Sequence, residues 1–187
     1  AAGASRSCHV WIDRPGVIAQ SASFERGTWH AGSDTALLFK RNAAGWEPLA
    51  PAQRGKVPGY GANSWAAGIE LENVGEVRLA LNPSKGEKQW CGWPFKFDHR
   101  GTDGKLVRPA VVPADEVVEI GGKHWHTFTD EQRRAAQRVV AAMVAHYGLL
   151  REAFLWTHAK IDPTRRTDSG PAWDGHLSVI LENVFGR

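Results

Sequence analysis

Apolar and polar positions change period several times along this chain, and each period predicts an element. In HVWIDRPGVIAQ an apolar run at 9–12, turn-forming residues at 13–16 and an apolar return at 17–19 predict a β-hairpin. In AAGIELEN, Ile69 and Leu71 point one way and Glu70 and Glu72 the other, the period-two pattern of a half-buried strand. The helix signal further on is the strongest in the chain. Thr129 with Gln132 makes a capping box, Ala136, Val139, Val140, Met143, Val144 and Tyr147 follow at helical spacing, and Gly148 supplies the stop. FLWTH at 154–158 reads as a short apolar strand, and 173–185 as a C-terminal helix. The pattern dissolves twice. Residues 42–63, with Gly45, Pro48, Pro51, Gly55, Pro58, Gly59 and Gly61, read as a long surface loop. Residues 82–123 form a second irregular stretch in which Trp90, Trp93, Phe95 and Phe97 cluster. Loops of this length often border a binding site. With no repeat, low-complexity tract or linker, the pattern describes one α/β domain with two long loop insertions.

Composition narrows the class without naming a function. A chain of 187 residues, 42% hydrophobic and 23% charged, excludes disorder and collagen-like repetition. No stretch approaches the ~20 apolar residues of a membrane span, and residues 1–7 lack the regions of a signal peptide. Neither observation fixes a compartment. Cys8 and Cys91 permit at most one disulfide and match no structural zinc spacing. A net charge of +3 leans toward an anionic partner, weakly, because the cations are scattered. Nine Trp stand beside two Tyr; core packing is their commoner use, and flat faces for sugar rings or bases the other.

Several residues have side chains suited to chemistry. His158 is followed by a polar loop through Lys160, Asp162, Pro163, Arg165 and Arg166 to Asp168. Imidazole and carboxylate are both ordinary zinc ligands, although from spacing alone a strand-end His bonded to a loop Asp is the commoner arrangement. Glu70 is a candidate general base, with Glu72 competing from the same strand face; either is equally a solvated strand carboxylate. Arg166 could stabilise an oxyanion, an exposed loop cation being the more frequent role. His30, beside Trp29 in GTWHAG, could line a groove, whereas a lone His is more often a structural hydrogen-bonder. His9 sits within a strand, where that reading has more force. His124 and His126 project to one side of an extended segment, able to bind a metal or simply to flank the helix start. The absence of G-x-S-x-G and of a phosphate-binding glycine loop argues against serine-hydrolase and nucleotide-binding readings.

Taken in order, SCHVWIDRPGVIAQ, GTWHAG, NSWAAGIELEN, the TDEQ-headed helix ending in HYGL, and THAKIDPTRRTDSGP resemble the zinc-dependent N-acetylmuramoyl-L-alanine amidases of the peptidoglycan-recognition-protein and phage-lysozyme amidase family. The resemblance spans most of the chain. It implies a central mixed β-sheet flanked by helices, Zn2+ bound by His158 and Asp168, Glu70 as general base, Arg166 where the family usually has Lys, and Trp29 and His30 bordering the glycopeptide groove. The implied reaction is hydrolysis of the amide between N-acetylmuramic acid and the L-alanine of the stem peptide, with peptidoglycan or a muropeptide as partner. Three departures stand out. The family's first zinc ligand lies on a strand preceding the hairpin, which places the third ligand upstream of Ala1. The expectation is therefore a domain lacking its first strand, the downstream part of a longer polypeptide that is either cleaved and still associated with its N-terminal segment as a partner, or represented only in part by this sequence. Ser169 replaces the Pro of the family's DPGP turn, and Arg166 replaces Lys. The competing functional reading is a non-catalytic peptidoglycan-binding module on the same fold, favoured by the missing ligand. A basic, Trp-rich nucleic-acid binder has no supporting motif. The implied settings are periplasmic, secreted or phage-borne.

Overall fold

The computed structural model describes residues 8–26, 28, 39–42, 45–48, 66–147, 155–161, 167 and 169–186. The predicted hairpin is present as β1 (Val10–Ile12) and β2 (Ile18–Gln20), paired antiparallel. Its turn closes through Gly16 N–H to the Asp13 carbonyl at 3.0 Å. Gly16 has φ +83°, and a Cβ there would meet the Glu131 carbonyl at 2.7 Å, so both backbone conformation and the nearby helix demand glycine. GIELEN supplies β5 (Ile69–Leu71), parallel to β1, which makes β2-β1-β5 a mixed sheet. Val10 and Ile12 are 2% and 0% exposed, and Ile69 and Leu71 pack against the same core, as the alternation required.

That core is closed by two helices. The long helix α1 (Asp130–Tyr147) starts where its capping box predicts: Gln132 N–H donates to Thr129 Oγ1, and Thr129 N–H to Gln132 Oε1, both at 3.1 Å. Ala135, Ala136, Val139 and Val140 are buried beneath it; Tyr147, the last apolar position of the predicted series, is exposed. Near the other end of the chain, a 3-10 turn (Pro171–Trp173) leads into α3 (Asp174–Phe185), which buries Leu177 and Ile180. α3 ends at Gly186 in the left-handed conformation, satisfying the C-terminal turn. This α/β arrangement of a mixed sheet and helices agrees with the predicted class.

Three local expectations give way to the structure. The predicted loop at 42–63 contains part of a hairpin, β3 (Phe39–Asn42) with β4 (Gly45–Pro48); residues 49–63 lie outside the described residues. The stretch at 82–123 is far from irregular throughout. Strand β6 (Glu76–Asn82), whose end it begins on, pairs with β7 (Glu87–Cys91), and a small hairpin follows as β8 (His99–Arg100) and β9 (Leu106–Val107). Then come β10 (Val111–Val112), β11 (Val117–Ile120) and β12 (Lys123–His126). They assemble as an antiparallel five-stranded sheet in the order β10-β7-β6-β12-β11. Its Gly and Pro residues sit in the turns, where composition masks short strands. Finally, the described part of FLWTH forms no strand: residues 155–157 have no regular structure and His158 opens the short helix α2 (His158–Ile161). An apolar run of five residues carries no period by which strand and helix start can be told apart.

The second sheet is held to the first by a polar joint. Arg14, in the hairpin turn, donates through its guanidinium to the Thr127 carbonyl at 2.9 Å and pairs with Glu116 at 2.8 Å. Glu116 also accepts from His126 Nε2 at 3.0 Å, while His126 Nδ1 accepts Val74 N–H at 3.1 Å. His126 is therefore the neutral tautomer protonated on Nε2. Burial pushes its pKa down from the ordinary imidazole value, with Glu116 opposing. A second attachment lies at Gly170 (φ +76°), where a Cβ would sit 2.8 Å from the Trp125 ring; β12 thus packs on the backbone just after residue 168.

Candidate active site

Glu70 lies at the middle of β5, flanked by two residues that face the core, so its carboxylate is on the opposite face. There it is in register with Trp11 of β1. Among the described residues its carboxylate has no hydrogen bond and no ion pair. Glu72 differs: its Oε2 accepts Arg14 N–H at 3.1 Å and its carbonyl accepts Gln132 Nε2 at 2.8 Å, so it braces the hairpin turn and the start of α1. The ambiguity between the two carboxylates is thereby reduced, one being committed to structure and the other available. Beside Glu70 lies Cys8, a free and buried thiol. Burial pushes its pKa up and the Glu70 carboxylate adds to the rise, so it stays a neutral thiol.

His158 is half-buried at the first position of α2. Asp168, Arg166, Trp29 and His30 lie outside the described residues. What the structure does give is the anchorage around them. His9 is 1% exposed; its Nδ1 accepts Gly68 N–H at 3.0 Å and lies 2.9 Å from Thr28 Oγ1, and its Nε2 donates to the Arg26 carbonyl at 2.7 Å. One buried ring thus ties the segment entering Trp29 and His30 to the segment entering Glu70. At the other side, Ser169 has a buried Oγ without a hydrogen-bond partner among the described residues.

The donor types at His158 and Asp168, imidazole nitrogen and carboxylate oxygen, suit zinc. Among the described residues, no group of three or more His, Cys, Asp or Glu is placed to hold a metal. His9 and His126 do not supply a substitute ligand in this arrangement, because both ring nitrogens of each are engaged with protein atoms. His124 packs at a tilt against Trp90 with ring centroids 4.4 Å apart, and His176 packs against Trp173. No helix among the described residues is long and apolar enough to cross a membrane.

Sequence reasoning overlooked Trp11 and the Arg14–Glu116 pair. Trp11 had a signal in the VWI alternation, which sets it opposite Val10 and Ile12. Arg14 and Glu116 had none, since 102 positions separate them. The family model for N-acetylmuramoyl-L-alanine amidase matches residues 1–171. No curated protein and no solved structure matches the chain.

Proposed function

Because the chain belongs to the N-acetylmuramoyl-L-alanine amidase family, whose activity is directed at peptidoglycan, we propose that it catalyses zinc-dependent hydrolysis of the amide between N-acetylmuramic acid and the L-alanine of the stem peptide. Glu70 carries this reading: a strand carboxylate turned away from the core and uncommitted among the described residues, two positions from a carboxylate that is committed. In the proposed reaction Glu70 takes a proton from the attacking water on a carboxylate oxygen and delivers it to the nitrogen of the leaving amine, ending as a carboxylate again. His158 and Asp168 are two of the zinc ligands. The ion, when bound, polarises the scissile carbonyl and acidifies water. Arg166 offers its guanidinium to the developing oxyanion. Trp29 and His30 border the glycopeptide groove.

Release of free stem peptide from purified sacculi tests the proposal. The expected outcome is release that chelator abolishes and zinc restores, with kcat lowered ~10²–10⁴-fold in Glu70→Gln, the usual contribution of a general base. Unchanged turnover in that variant removes Glu70 from the role. Binding to sacculi without any release by the wild type would instead establish a non-catalytic peptidoglycan-binding module.

A further inference from the structure

We propose that Trp11 is a substrate-contacting residue whose indole face seats the pyranose ring of the N-acetylmuramoyl group; this deepens the amidase reading and rests on it. Strand β1 is the middle strand of its sheet, and its two other residues are fully in the core. Trp11 is 40% exposed on the opposite face. It is in register with Glu70 on one side and with Ala19 of β2 on the other. Neighbouring strands are ~4.8 Å apart, so the indole and the Glu70 carboxylate emerge side by side. Ala19 carries only a methyl group.

Four other described tryptophans show what is unusual here. Trp90 packs at a tilt against His124, Trp93 meets His99 edge-on, Trp125 is buried with its Nε1–H directed at the Ile120 carbonyl, and Trp173 packs on Phe128 within the core. Among the described residues Trp11 has no ring or hydrogen-bond partner, although it stands next to the proposed proton-transfer group. A substrate positioned for Glu70 brings two pieces near that carboxylate: a sugar on the acyl side of the scissile bond and an alanine on the amine side. An alanine methyl is too small to cover an indole, whereas the flat C–H face of a pyranose matches one.

The test compares N-acetylmuramoyl-tripeptide with D-lactoyl-tripeptide, which keeps the scissile amide and lacks the sugar. Trp11→Ala is expected to raise KM for the muramoyl substrate about three- to tenfold, the range of one aromatic stacking contact, with kcat retained. KM for the lactoyl substrate stays as in the wild type, and Trp11→Phe recovers most of the loss. Equal changes on both substrates, or none, overturn the assignment. If the wild type cleaves neither substrate, the amidase reading fails separately. Calorimetric binding of N-acetylmuramoyl-tripeptide to Glu70→Gln, with and without Trp11→Ala, then still decides the matter: weaker binding supports the seat and unchanged binding refutes it. Matching circular dichroism spectra verify that the variants are folded.

Discussion

In the mixed sheet β2-β1-β5, the middle strand presses Val10 and Ile12 against α1 and α3 and turns Trp11 outward beside Glu70. In the antiparallel sheet β10-β7-β6-β12-β11, by contrast, β6 leaves Leu79 and Leu81 half or more exposed, and Glu76 on its other face pairs with Arg78 and Lys123 at 2.9 and 3.1 Å. Burial pushes the Glu76 carboxyl up, and those two cations outweigh it, holding it below the ordinary carboxylate range. One sheet is fixed by apolar packing on a single face, which leaves its other face available for chemistry. The other buries Val77, Cys91, Val112 and Trp125, adds ion pairs at Glu76, and meets the first sheet through a part-buried polar joint. Substitutions are therefore costly in the mixed sheet on the inward face, and in the antiparallel sheet at the joint and at its few buried positions, but not at exposed Leu79 or Leu81.

Core truncation gives the largest expected contrast. Ile12→Ala is expected to cost about 2–5 kcal/mol of unfolding free energy, as for other fully buried aliphatic side chains. Leu81→Ala, at a position 57% exposed, is expected to stay within about 0.5 kcal/mol. Urea unfolding measures both, and comparable losses would mean that Leu81 is packed as tightly as Ile12 despite its exposure. Next in size is the joint. Arg14→Met removes the pairing to Glu116 and the bond to the Thr127 carbonyl, with an expected loss of about 1–3 kcal/mol. If stability is unchanged, the second sheet is held by other contacts, such as Gly170 under Trp125.

Acidification should act at the same joint with a smaller effect. His126 has a lowered folded-state pKa, so above the ordinary imidazole value of ~6.5 neither state binds its proton and stability is full. As the pH falls below that value the unfolded chain takes up a proton that the folded chain refuses, and stability drops by up to ~1.4 kcal/mol per pH unit until the folded ring also protonates. His176, lowered mainly by burial, acts in the same direction. Chemical unfolding between pH 7 and pH 5 measures the slope, and His126→Gln should flatten it. A slope unaffected by that variant would remove His126 from the account.

Much of the mixed sheet and its helices was legible because their signals are local. Alternation in VWI and IEL, the Thr129–Gln132 box and the spacing from Ala136 to Val144 each declare a face within a few residues. The antiparallel sheet was illegible for the opposite reason: its strands are two to seven residues long and separated by Gly- and Pro-rich turns, so no window holds enough of one period to register. FLWTH fell to the same shortage. Among the candidate site residues, alternation alone set Glu70 on the face opposite Ile69 and Leu71, as observed, whereas its proposed role came from the resemblance of GIELEN to the family's catalytic strand.

The sequence by itself determined the α/β class, the family, and that Glu70 faces away from Ile69 and Leu71 on β5, because these depend on period and on ordered motifs. Only the tertiary structure showed Glu72 bonded to Arg14, set Trp11 in register with Glu70, and committed His9 and His126 to structural bonds. Those outcomes depend on partners distant in the chain: Arg14 reaches Glu72 across 58 positions and Gly68 reaches His9 across 59. A hydrogen bond between such residues exists only once the strands have paired, and no local pattern encodes it.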